Sequence, residues 1–246
     1  MSDDTSKATR PILILLCTYN ELGNLPELIS TLHREMPDAD ILVVDDRSPD
    51  GTGQWAREQS STDDQIYLLE RPGKLGLGSA TRDGIRWCLE RHYDFLIQMD
   101  ADWSHRPQDV PGLFQACQQS GCEVAVGSRY LPGGGFRGIP WYRRWISWSL
   151  NRYTTRLLRL PLTDCSGSFR CYRTSALREL DWNSLHCDGY GFLEEILVML
   201  HRKGFRFAEV PIWFEPRVKG SSKLSLGDAW GAIGVIHRLA MKDTAC

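Results

Sequence analysis

The sequence predicts an α/β protein built on a largely parallel central sheet flanked by helices. Three observations carry this reading. Short apolar runs alternate with segments of helical periodicity, the runs are apolar at consecutive positions as strands buried on both faces must be, and polar residues gather where those runs end. In order, strands are expected at ILILLC (12–17), ILVV (41–44), QIYLL (65–69), DFLIQM (94–99) and EVAVG (123–127). Helices are expected between them at 24–36, 52–59, 78–91 and 107–119. The last of these opens on Pro107, whose missing N–H costs nothing in a first turn, and carries Asp109 at the positive end of the helix dipole.

Beyond residue 130 the regular alternation stops. Gly-rich LPGGGFRG (131–138) leads into a Trp- and Arg-rich segment that runs to about 159. A strand-like CSGSFRCYR, a helical run at 190–203 and the strand FRFAEVPIWF (205–214) follow. No internal repeat or low-complexity linker interrupts the chain. Residues 10–246 are therefore read as one domain with a 10–130 half and a 131–246 half, after a polar start at 1–9 expected to be disordered.

Composition excludes several classes of function. Twenty-nine Lys and Arg against 31 Asp and Glu give a net charge near −2, so no global field draws the protein to nucleic acid, and an anionic ligand must be met by local clusters. Of the eight cysteines no two stand in C-x-x-C spacing, which predicts reduced thiols in a cytoplasmic protein rather than disulfides or zinc. The longest apolar runs, ILILLC and AWGAIGVI (229–236), fall well short of the roughly 20 residues that span a bilayer. Lys7 and Arg10 ahead of ILILLC imitate a signal peptide, but polar TYNE follows where a small-residue cleavage site belongs.

The polar clusters at strand ends are Thr18 to Glu21, Asp45 to Asp50 and Asp100 to His105. Ligands of an open parallel sheet bind outside the carboxyl ends of its strands, so the three clusters point to one site. The two common nucleotide grips are absent: CTYNELGN follows the first strand where G-x-G-x-x-G would stand, KLGLGSATRDG has Thr81 at its third position, and no G-x-x-x-x-G-K-[ST] occurs. Carboxylates at strand ends repel a diphosphate unless a divalent cation lies between them. The D-x-D of Asp100, Ala101 and Asp102 offers the hard oxygens that Mg²⁺ or Mn²⁺ takes. A metal-dependent enzyme with a nucleoside diphosphate donor is the reading these residues support.

CTYNE, VVDDRSPDGT, KLGLGSA, MDADWSH, GSRY, SGSFR, DGYGF, EVPIWF and RVKGSSKLS stand in the order and spacing of the dolichol-phosphate mannosyltransferases of glycosyltransferase family 2, which the chain resembles over about residues 11 to 226. The resemblance implies a GT-A fold and inverting transfer of mannose from GDP-mannose to the phosphate of a polyprenol, dolichyl or undecaprenyl. It implies that Tyr19, Glu21, Val44 and Asp46 hold the base and ribose. Asp100 and Asp102 hold the cation, with Ala101 allowing close approach of the donor. Arg129, Arg217 and Lys223 meet the donor phosphates, and Arg129 the acceptor phosphate as well. Asp102 and Arg129 are accordingly the expected catalytic residues. Basic groups are also a physical requirement: two anions at about 4 Å repel by roughly 4 kcal/mol per unit-charge pair at an effective dielectric near 20. That alone is worth about three decades of rate. The chain departs from the family pattern at Cys17 (usually Pro), Arg47 (often Gly), Ser104 (Gln in some relatives) and Leu193 (commonly Gln).

For the acceptor, residues 137–160 place Trp141, Trp145 and Trp148 at helical spacing among Arg143, Arg144, Arg152, Arg156 and Arg159, the composition of a helix lying in a membrane interface. An ordinary amphipathic helix covering the sheet is the alternative. By resemblance Arg143 and Ser147 form the R-x-x-x-S that holds the lipid phosphate. The protein is expected on the cytoplasmic face of a membrane, bound peripherally or through a membrane-anchored partner, with 224–241, which carries Trp230, Ile233, Ile236 and His237, as either a second amphipathic contact or core packing. Two other functions are open to the sequence: a family 2 transferase using UDP-glucose or UDP-GlcNAc, and a catalytically silent sugar-nucleotide-binding subunit.

Overall fold

The computed structural model describes residues 11–119, 121–185, 191–217, 234 and 236–241. The expected disordered start, Lys223, Trp230, Ile233, the DGY of DGYGF, Cys187 and Cys246 lie outside the described residues.

A seven-stranded sheet carries the molecule. Its strands are β1 (Ile12–Thr18), β2 (Asp40–Asp45), β3 (Ile66–Glu70), β4 (Phe95–Asp100), β5 (Val124–Ser128), β7 (Arg170–Arg173) and β8 (Phe207–Pro211). They lie in the order β3-β2-β1-β4-β7-β5-β8. β1, β2, β3 and β4 pair parallel, as do β5 and β8; β7 runs antiparallel between β4 and β5. A two-stranded parallel sheet joins β6 (Gly135–Phe136) to β9 (Trp213–Phe214).

The consecutive apolar residues of the first strands feed two cores. β1 sends Leu13 and Leu15 to one face and Ile12, Ile14 and Leu16 to the other; β2 divides Leu42 and Val44 from Ile41 and Val43 in the same way. On the first face lie α3 (Leu77–Glu90) and α7 (Gly191–Arg202). On the second lie α1 (Leu25–Glu35), α2 (Thr52–Ser60) and α4 (Val110–Gln118), the last preceded by one 3₁₀ turn at Pro107–Asp109. Two further helices, α5 (Trp141–Leu157) and α6 (Thr174–Arg178), complete the second half. α3 rides close against β1 at Gly84, where a Cβ would lie 2.4 Å from Leu15 Cδ1.

The expected strands and helices up to residue 128 appear within a residue or two of their positions. Two expectations beyond it are corrected. CSGSFRCYR is a strand only at Arg170–Arg173 and enters the sheet antiparallel. FRFAEVPIWF is not one strand: Pro211, which has no N–H to give, ends β8 in the main sheet, and Ile212 carries the chain across. Its N–H donates to Ser128 C=O (3.0 Å) and its C=O accepts from Gly135 N–H (2.9 Å), so β9 begins in the small sheet. Gly134 permits this crossing, since a Cβ there would lie 2.7 Å from Ser128 O and 2.9 Å from Ile212 O. Among the described residues no helix is long and apolar enough to cross a membrane, and the six described cysteines are free thiols.

Candidate active site

β1 stands between β2 and β4, and the chain leaves it in opposite directions on its two sides. A crevice forms at such a switch point. Here it is a cavity of about 430 Å³ lined from the ends of β1, β2 and β4, the start of α3, the loop before β7, and β9.

The β1 and β2 ends are braced together. Asp45, fully buried, accepts from Thr18 Oγ1 (2.9 Å), from Ser48 N–H (2.9 Å) and from Ser48 Oγ (2.6 Å), and so orients the SPDGT loop rather than facing the cavity. Asp46 does face it, held by Arg71 Nη1 (2.5 Å) and the Leu75 N–H (3.1 Å). Tyr19 and Glu21 also line the cavity. Glu21 Oε2 accepts from Asn24 Nδ2 (2.8 Å), and Lys74 Nζ stands 4.8 Å from the centre of the Tyr19 ring. Cys17, in the cavity wall, is a thiol pushed up to about 12 by burial, so it is no nucleophile. The Val44 side chain is fully buried in the core and does not line the cavity, because β2 points it to the α3 face.

Asp100, Ala101 and Asp102 project from the end of β4 into the same space. The turn is made by Trp103 in the left-handed region (φ 67°) and by Asp102 Oδ1, which accepts the Ser104 N–H at 3.0 Å. His105 folds back beneath it, stacked 5.0 Å from Phe169, with Nδ1 accepting the Asp100 N–H at 3.2 Å. Burial lowers the His105 pKa despite the two neighbouring carboxylates, so the ring stays neutral and its Nδ1 lone pair remains available to that N–H. Asp100 Oδ1 accepts from Ser168 Oγ (2.7 Å), and Asp102 Oδ2 pairs with Arg217 Nε (2.7 Å). Among the described residues no cluster of three His, Cys, Asp or Glu is placed to hold a metal ion. The two carboxylates nonetheless offer the hard oxygens that a divalent cation takes.

Arg129, just past β5, is the best-anchored cation of the site. Its Nε and Nη2 bind the two carboxylate oxygens of Asp164 at 2.7 and 2.8 Å, and Nη2 also reaches Ser166 Oγ (2.7 Å). Burial by itself would raise the Asp164 pKa, but the guanidinium outweighs it and holds the carboxyl below its ordinary value. Beyond Arg129 a groove of about 430 Å³ opens, lined by Tyr130, Phe136, Trp141, Arg144, Trp145 and Trp148. Arg129 lines both spaces. Ser147 meets the edge of this region through Tyr130, hydroxyl to hydroxyl at 2.8 Å. Arg143 is exposed and lines neither space, because residues one apart on a helix point about 100° away from each other, and α5 turns Arg144 into the groove.

Asp164, Lys74 and Ser168 are site residues that sequence reasoning did not single out. Lys74 and Ser168 stood inside KLGLGSA and SGSFR, motifs already noted, and Asp164 lies one residue before CSGSFR. An acid there faces nothing legible until the fold brings it to Arg129.

A model of glycosyl transferase family 2 matches residues 13–181. The chain is 42% identical over 227 residues to an undecaprenyl-phosphate mannosyltransferase of Micrococcus luteus, covering 92% of this chain and 93% of that one. It is 40% identical over 222 residues to a polyprenol monophosphomannose synthase of Mycolicibacterium smegmatis, covering 90% and 83%. Among solved structures it resembles glucosyl-3-phosphoglycerate synthase of Mycobacterium tuberculosis, crystallised with Mn²⁺ and UDP (TM-score 0.66, 18% identity, 96% of this chain and 81% of that one). It also resembles a mannosyltransferase of Pyrobaculum calidifontis in complex with GDP-mannose and Mn²⁺ (TM-score 0.55, 14% identity, 96% and 75%). The fold is GT-A.

Proposed function

Since the chain belongs to glycosyltransferase family 2, we propose that it transfers mannose from GDP-mannose to the phosphate of a polyprenol, with inversion at the anomeric carbon. The observation that carries this reading is the double position of Arg129, which lines both a carboxylate-rich cavity suited to a cation-held diphosphate and a groove walled by aromatic rings suited to a prenyl phosphate. The two bacterial relatives, named for mannose and for a polyprenyl phosphate, support the substrate classes.

In this reading Tyr19, Glu21 and Asp46 receive the guanosine. Asp100 and Asp102 hold Mg²⁺ or Mn²⁺ with Ala101 beneath the donor, and Arg217 and Lys223 meet the phosphates. A bound cation supplies charge neutralisation for the departing diphosphate. The acceptor phosphate is held by Arg129, with Ser147 and Arg143 at its approach. One of its oxygens forms the new bond to the anomeric carbon as the bond from that carbon to the diphosphate oxygen breaks, and GDP takes the electron pair. A phosphate oxygen is already anionic at neutral pH, so no general base is needed. Arg129, kept charged by its buried partner, offsets the meeting of two anions. The protein would work peripherally on the cytoplasmic face of a membrane, through α5 or a membrane-anchored partner.

The test is transfer by purified protein from a panel of radiolabelled nucleotide sugars to polyprenyl phosphate in detergent, with and without divalent cation. Label should enter the organic phase from GDP-mannose alone and should cease to do so after EDTA. Label from UDP-glucose or UDP-GlcNAc alone rejects the donor, and full transfer after EDTA rejects the cation.

A further inference from the structure

α5 is docked by polar residues. Its buried members are Asn151, Thr154 and Thr155, and of its large apolar side chains only the last, Leu157, packs on the core while the others face outward. Asn151 makes the most specific of these contacts. Its Nδ2 donates to the Thr163 C=O, and its Oδ1 accepts from the Cys165 N–H at 2.9 Å. The amide has one possible orientation here, since a carbonyl can only accept and a backbone N–H only donate. Between those two residues stands Asp164, the partner of Arg129.

The same short loop is held from the sheet. Glu209 of β8 accepts the Thr163 N–H (2.9 Å), the Thr163 Oγ1 (2.8 Å) and the Asp164 N–H (3.1 Å). One amide on α5 and one carboxylate on β8 thus fix the backbone on both sides of Asp164. Asp164 in turn fixes both the chain and the head of Arg129, accepting from its N–H (3.2 Å), Nε and Nη2. Every link is a directed hydrogen bond within ordinary reach or closer, and together they run from α5 to the guanidinium between the two cavities.

We propose that Asn151 is a positioning residue that makes the placement of Arg129 depend on the seating of α5, so that an α5 lifted from the body also loosens the Asp164–Arg129 pair. This rests on the reading that Arg129 acts where donor and acceptor meet. Asn151 touches neither cavity, and its effect on transfer passes through the loop at 163–165.

The test compares wild type with Asn151→Ala and Asn151→Asp, the second keeping the oxygen for Cys165 N–H but losing the donor to Thr163. Both should lower kcat for transfer by about ten- to a hundredfold, the scale of a displaced catalytic group, with KM for the nucleotide sugar changed less than about twofold. Amide exchange at 163–166 should quicken in both. In an Arg129→Lys background the Asn151 substitutions should add no further loss, as members of one chain of contacts do. Wild-type kcat, unchanged exchange, or a loss that multiplies with Arg129→Lys overturns the proposal. The assay uses whichever nucleotide sugar the wild type accepts. A wild type that transfers from none rejects the functional reading, and the exchange at 163–166 then decides the link on its own.

Discussion

Glu194 is a buried acid with an oxygen, Oε2, that no group among the described residues hydrogen-bonds. Burial pushes its pKa from 4.5 up to about 7, against the pull of Arg170. The folded protein therefore binds a proton at Glu194 through a range in which the unfolded chain has released it. Stability from this group is full below about pH 4.5, is lost as pH rises through 7, and stays lost above. Replacing Glu194 with Gln should leave the melting temperature at pH 4 nearly unchanged and raise it at pH 9 by several degrees, the equivalent of up to about 3 kcal/mol. Calorimetry at the two pH values checks it, and an equal shift at both would count against the buried charge. Residues differ in how far their roles can be read from sequence. Asp100 and Asp102 were legible because two acids one residue apart, directly after an apolar strand, stand where a parallel sheet receives its ligand and offer it only oxygens. Asp164 was not, because its meaning lies in Arg129, 35 residues away. Val44 was named by the resemblance alone, and the alternation of β2 turns its side chain into the core.

Among the elements, α5 inverts the usual rule for a surface helix. Trp141 is 78% exposed, Trp145 64% and Trp148 47%, with Tyr142, Ile146, Leu150 and Tyr153 also exposed, while an asparagine and two threonines are buried beneath. Of the two readings the sequence left open, a helix covering the sheet would bury its apolar face; this one displays it, and a contiguous apolar face in view marks an interaction surface. Substituting Trp141, Trp145 and Trp148 together by Ser should weaken cosedimentation with anionic lipid vesicles by at least about tenfold, since each buried apolar side chain is worth roughly 1.5–3 kcal/mol. Thermal stability in buffer should be unchanged. Loss of stability with unaltered vesicle binding would mean these rings serve the fold. α3 shows the opposite economy of space. Gly84→Ala would drive a Cβ into Leu15, a fully buried side chain of β1, and should cost about 1–3 kcal/mol in denaturant unfolding. A neutral result would show that Leu15 can turn aside.

Across the whole molecule, the regular first half was read nearly residue for residue, because strands buried on both faces and helices with one apolar stripe leave distinct periodicities. The second half was read only in outline. The residues of β7 look the same whichever way the strand runs, so its antiparallel entry between β4 and β5 follows from the long return through α5, which no local pattern encodes. The break at Pro211 was visible as a proline, but the small sheet formed by β6 and β9 needs the two halves folded together. That small sheet positions Phe214 in the cavity at the strand ends and Phe136 in the groove, so the least legible element is also the one that joins the two spaces.

The groove is walled on one side by the same tryptophans that α5 displays to its surroundings. A substrate entering there would come from within the plane in which those rings lie, whereas the polar donor would arrive from water. Encounter with the acceptor would then be two-dimensional, governed by how many acceptor molecules occupy a unit of surface rather than a unit of volume. In mixed vesicles, adding inert phospholipid at constant total acceptor should slow transfer in proportion to the acceptor's falling mole fraction. Adding more vesicles of fixed composition, once the protein is fully bound, should leave the rate per enzyme as it was.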